Sequence, residues 1–175
     1  APWFDLTPTV TYTRVSLDHQ HFLDAYGFKL RGEKKLASWV DFYSQAWAQY
    51  QNFASITSAA SAPERSGPRY DFEVGFNFNI APTERIGFSW IHTRKYGAGA
   101  DDAGSRFDTQ DYIGNELAVN HTWLLGRGQF ILNNFSIGRD IYEQNDPLIS
   151  GLTRHDLNLR YRTTYGAPLE TIFGW

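Results

Sequence analysis

The sequence predicts an all-β fold, an antiparallel up-and-down β-barrel of eight strands in a single domain over 1–175. Three observations predict it. Apolar and polar residues alternate with period two in segment after segment, as strands with two unlike faces require. Aromatic residues make up 17% of the chain and glycine is frequent, a mixture suited to strands and turns. The connections between the segments are either tight or long, and the two kinds fall on opposite ends of the sheet.

The first segment, FDLTPTVTYT, puts Phe4, Leu6, Val10 and Tyr12 on one face. The second, HFLDAYGFKL, aligns Phe22, Tyr26, Phe28 and Leu30. The third, from about Leu36 to Tyr50, aligns Leu36, Val40, Phe42, Ala46 and Ala48. Trp39, Tyr43, Trp47 and Tyr50 also recur three or four apart there, so an amphipathic helix competes with a strand. Its strand neighbours favour the strand. The fourth and fifth form the hairpin DFEVGFNFNIAPTERIGFSWI, with Phe72, Val74, Phe76 and Phe78 before the turn and Ile86, Phe88 and Trp90 after it. The sixth aligns Leu117, Val119, Trp123 and Leu125, and the seventh Ile131, Phe135, Ile137 and Ile141. The eighth, HDLNLRYRTTY, aligns Leu157, Leu159, Tyr161 and Tyr165.

Tight turns are expected near 31–35, 81–85 and 125–129, each with Gly or Pro in place. Long polar loops are expected near 53–69, 97–111 and 143–154. Only the join around LDHQ breaks the rhythm by being short at the long-loop end.

Alternation alone does not say what the apolar face meets. A soluble lipocalin-like carrier would turn it inward around a hydrophobic ligand. A membrane barrel would turn it toward lipid. Three features favour lipid. Aromatics gather at the long-loop end (Tyr50, Phe53, Tyr70, Tyr96, Tyr112, Tyr142) and at the other end (Trp3, Phe4, Phe173, Trp175), like the girdles of membrane interfaces. The polar face is rich in Asn, Ser, Thr and Gly and poor in Lys, unlike a water-facing sheet. The chain runs LETIFGW to a terminal aromatic, which resembles the C-terminal insertion signal of outer-membrane barrels. Over its whole length the chain resembles the small bacterial outer-membrane β-barrel proteins as a class, by architecture and without a family-specific motif. That resemblance implies a bacterial outer-membrane location, short periplasmic turns and long extracellular loops. It implies a membrane-structural protein or narrow diffusion pore, with membrane lipid and lipopolysaccharide as partners and an oligomer or larger barrel as an option.

With lipid outside, the polar face lines a lumen. Asp41, Glu73, Glu116 and Asp140, with Arg160 and Arg162, then form a lumen charge network, because buried charges must be paired. Such a network either plugs the barrel rigidly or lines a narrow charged passage. Arg94 and Arg139 interrupt the apolar face near the long-loop end, where they could snorkel or meet lipopolysaccharide phosphates.

Other chemistries find less support. Net charge is −3, so no polyphosphate-binding footprint exists and no nucleic-acid partner is expected. With no cysteine, disulfides and thiolate zinc sites are excluded. The chain has no methionine, even at position 1, as after removal of a signal peptide. His19 and His21 bring metal-ligand types close together, but two imidazoles and a carboxylate on a mobile turn rarely make a specific site, and the aspartates of GAGADDAGSRFDTQD lack EF-hand spacing. No cofactor is expected. Lipid A deacylases of the outer membrane carry a His and a Ser two apart, with a Glu farther on. Here His92 and Glu116 are present, but Arg94 stands where that serine would be, so the nucleophile is missing. A lipid-modifying enzyme is therefore the third reading. Pro8 and Pro168 lie within the first and last strands, where proline cannot donate to a ladder. They mark bulges at the rim, or else GAP at 166–168 is a further turn and Leu169 to Trp175 a ninth strand.

Overall fold

All eight alternating segments form strands. The computed structural model describes residues 4–17, 19–54, 65–97, 111–145 and 152–168. They comprise β1 (Asp5–Leu17), β2 (Gln20–Ala37), β3 (Val40–Phe53), β4 (Gly67–Ala81), β5 (Glu84–Lys95), β6 (Tyr112–Gly126), β7 (Gln129–Asn145) and β8 (Thr153–Gly166). They make one sheet in sequence order, every neighbouring pair antiparallel. The third segment is a strand: Phe42, Ala46 and Ala48 pair with Phe76, Phe72 and Tyr70 of β4. A helix would leave both neighbours without a ladder partner.

The tight turns are two residues long. They fall at Ser38–Trp39, Pro82–Thr83 and Arg127–Gly128, all at one end of the sheet. Arg127 (φ 50°) and Gly128 (φ 73°) both have positive φ, as in the hairpin turns that match strand twist. The turn expected at 31–35 is corrected by this placement. RGEKK is part of β2, where Arg31 pairs with Gln45, Glu33 with Tyr43 and Lys35 with Asp41. The alternation runs through its charges, so the ladder extends until a two-residue turn can close it. The long connections carry residues 55–64, 98–110 and 146–151, which lie outside the described residues, as does the stretch Leu169 to Trp175.

Closure into an eight-stranded barrel is also corrected. Among the described residues, β1 pairs only with β2 and β8 only with β7, so this sheet has two open edges. Pro8 gives a physical reason: a strand that contains proline has a gap in its donor row and belongs at an edge. The apolar side chains of both edge strands are well exposed: Val10 is 84% exposed and Leu157 75%.

The sheet is curled with its polar face inside. Side chains of that face from β3 to β8 line one shared cavity near the long-loop end. Tyr43, Thr93 and Lys95, all on the polar face, are 4%, 7% and 5% exposed. The opposite face carries Phe28, Phe72, Phe76, Phe88, Leu117 and Phe135, all exposed. Among the described residues no large side chain is fully buried. The usual arrangement of a water-soluble domain, apolar within and polar without, is therefore reversed.

Candidate functional site

The polar trough is the candidate site. Strict alternation puts odd residues of β3, β4 and β5 and even residues of β6, β7 and β8 on it, and cross-strand register brings their polar groups together.

The best-connected cluster spans β2, β3 and β4. Glu73 lies opposite Gln45, and Tyr43 lies opposite Gly75. The Tyr43 hydroxyl donates to Glu73 Oε1 at 2.7 Å, and the Gln45 amide donates to Glu73 Oε2. Arg31 covers the Tyr43 ring, its Cζ 4.2 Å from the centroid, while donating to Glu33 at 2.5 Å and to Gln45 at 3.3 Å. Gly75 lets the ring lie flat on the sheet, since a Cβ there would come within 2.6 Å of Tyr43 Cζ.

Other groups pair more locally. Asp41 accepts from Asn79 at 3.2 Å and Arg85 at 3.4 Å. Asp140 accepts from Asn158 at 2.7 Å, and Glu116 accepts from Arg160 at 3.0 Å. Arg162 stands opposite Asn134. The six charges expected to form one network are thus spread along the trough: Arg160 reaches Glu116, while Glu73 and Asp41 are held by partners on β3, β4 and β5. The sequence does not single out Arg31 and Arg85 as partners, because register sets these pairs and alternation along one strand does not set register.

The long-loop end holds a cavity of about 300 Å³, lined by Gln51, Phe53, Arg65, Arg69, Lys95, Tyr112, Tyr142 and Arg154. Asp71 fixes the Arg69 guanidinium with bonds of 2.9 Å and also accepts from Thr93 at 2.6 Å. Asp156 fixes Arg154, whose Cζ lies 4.6 Å from the Tyr142 ring centroid. The Lys95 ammonium donates to the Gly67 carbonyl at 3.0 Å. None of these four cations stood out in the sequence, since each looks like an ordinary residue at a strand end.

The aromatic positions divide between the faces. Tyr50 and Tyr70 are exposed on the apolar face, and Tyr96 meets Tyr70 edge to face at 6.3 Å. Tyr112 and Tyr142 are corrected from girdle to interior. Their parity is that of Glu116 and Asp140, so both rings face the cavity, 5.3 Å apart. Trp3, Phe173 and Trp175 lie outside the described residues.

Polar residues on the outer face find partners on that face. Arg94 pairs with Glu143 at 2.7 Å and stacks on Tyr96, Arg139 meets His155 at 2.5 Å, and His121 meets Glu84 at 3.0 Å. Arg14, Tyr12 and His21 converge on Asp24. His92 contacts Asn115 at 3.1 Å, whereas Glu116 faces the trough. A His92–Glu116 pair is therefore divided by the sheet itself.

Set against family models, curated proteins and solved structures, the chain has no significant match in any of the three comparisons.

Proposed function

We propose that this sheet is the wall of a bacterial outer-membrane β-barrel, with its exposed apolar face against lipid and its polar trough lining an aqueous passage. The observation that carries the reading is the reversed partition of the two faces. A face bearing Phe72, Phe76, Phe88, Leu117, Phe135 and Leu159, all exposed, is far beyond the scattered apolar side chains a soluble surface tolerates. The strands have 12 to 18 residues, enough for the 9–11 or so that a tilted strand needs to cross a bilayer. A carrier of hydrophobic ligands would shelter the apolar face, and here that face is the exposed one.

Backbone groups cannot remain unpaired in hydrocarbon. The edges of β1 and β8 therefore call for further strands, and a second copy of this chain is the occupant we propose. The tight-turn end would face the periplasm and the long loops the outside. The role follows from that geometry: a membrane-structural wall and diffusion pore, with lipid and lipopolysaccharide on its outer surface.

Detergent dependence tests the reading. The purified chain should precipitate or aggregate on detergent removal, and should migrate at different positions on gels before and after heating. A monodisperse, folded protein in plain buffer would sink it. Conductance steps in planar bilayers would separate a pore from a closed wall.

A further inference from the structure

We propose that the loop-end cavity is a binding site for a small phosphorylated solute, or for phosphate itself, taken up from the long-loop side. The inference rests on the polar face lining an aqueous passage.

Among the described residues, its wall carries four cationic side chains, Arg65, Arg69, Lys95 and Arg154, and no carboxylate. Asp71 and Asp156 lie outside the lining and bind two of these cations, Arg69 and Arg154. Each carboxylate fixes its guanidinium as a strut, so both cations are held in place before any ligand arrives. Among the described residues, neither Arg65 nor Lys95 is in an ion pair. Asp111, whose charge also acts on Lys95, accepts from the Gly97 amide. Lys95 is 5% exposed, deep for an ammonium, and the Gly67 carbonyl accepts from one of its three N–H groups.

Lys95 also sits directly across the ladder from Arg69. Two cations facing each other on a sheltered surface repel, and like charges directly opposite destabilise a sheet. An anion between them removes that repulsion. Compact oxyanions suit the donors present: guanidinium forks and an ammonium match phosphate oxygens. Tyr112 and Tyr142 supply apolar ring surface for the remainder of a small solute, and about 300 Å³ holds more than a bare phosphate. The cavity opens on the polar face, away from the surface where lipid would lie, which favours a dissolved phosphate over a lipid headgroup.

The test is calorimetric titration of the full chain, in an uncharged detergent at low ionic strength, with inorganic phosphate and separately with glycerol 3-phosphate. Saturable binding is expected. Lys95→Gln should weaken it at least tenfold and Arg65→Gln, at an exposed position with little risk to folding, several-fold. Arg14→Gln, a cation on the outer face that binds Asp24, should leave it unchanged. No saturable heat, or equal affinity in the Lys95→Gln and Arg65→Gln variants, overturns the site. Binding only to mixed micelles containing phosphatidic acid, and not to either soluble phosphate, overturns the solute assignment. If the protein proves soluble without detergent, the same titration in plain buffer reads the site independently of the membrane proposal.

Discussion

Replacing Phe88 with arginine puts a charge in the middle of the exposed apolar face. Phe88 is 49% exposed, stands between Phe76 of β4 and Val119 of β6, and meets the Phe78 ring edge to face at 6.0 Å. Two losses follow if that face meets lipid. An arginine near the bilayer midplane of a barrel costs about 2–4 kcal/mol. The lost ring contact adds about 0.5–1.5 kcal/mol. The expected destabilisation is therefore about 2.5–5.5 kcal/mol, a shift of between about seventyfold and about ten-thousandfold in the folding equilibrium. Ile80→Arg is the internal comparison. Ile80 is 59% exposed but lies beside the Pro82–Thr83 turn, where the cost of a charge falls to about 0–1 kcal/mol. The assay is reversible unfolding in guanidinium of protein folded into liposomes, followed by tryptophan fluorescence. In water the midplane penalty would vanish for both variants, because an exposed arginine keeps its charged head hydrated. Equal stability of the Phe88→Arg and Ile80→Arg variants, or a Phe88→Arg variant as stable as the parent, would refute the lipid assignment.

Glu73→Ala leaves the Tyr43 hydroxyl and the Gln45 amide without their shared acceptor. Denaturant melts should show a loss of about 1–3 kcal/mol, with Glu73→Gln costing less. Gly75→Ala forces the Tyr43 ring off the sheet, because the new Cβ would lie 2.6 Å from Tyr43 Cζ, and it also crowds the Phe88 carbonyl oxygen at 2.7 Å. That variant should lose about 1–3 kcal/mol, and a parallel Tyr43→Ala, Gly75→Ala double variant should show the two effects to be non-additive. Cysteines at Thr9 on β1 and Asn158 on β8 test the open edges. Oxidation in detergent should give dimers and higher species on non-reducing gels, and an exclusively intramolecular disulfide would show that the chain closes on itself.

The strands were legible in the sequence because each carries a period-two pattern that nothing else produces over such length. Even the ambiguous third segment resolves as a strand, since Phe42, Ala46 and Ala48 need β4 opposite them. Local signals misled where two rules competed. RGEKK has the composition of a turn, yet its alternation continues that of β2, and ladder pairing outweighed composition. Tyr112 and Tyr142 lie at the right height for a girdle, but height says nothing about face, and their parity turns both inward. The charged site was the least legible part. Arg65, Arg69, Lys95 and Arg154 come from distant stretches and meet only because the sheet curls. Curl and register are collective properties of eight strands and leave no trace in any one of them.

The Glu73 cluster also fixes the register of β3 on β4. The outer rings are nearly interchangeable: a slide of β3 against β4 by two residues would still set apolar groups beside aromatic ones. The polar face tolerates no such slide. Glu73 is placed to accept from Tyr43 and Gln45 together, with Gly75 beneath the Tyr43 ring, in only one alignment of the two strands. In a protein whose greasy surface cannot distinguish one register from the next, a few hydrogen bonds and one missing side chain act as the key that tells the strands where to stop.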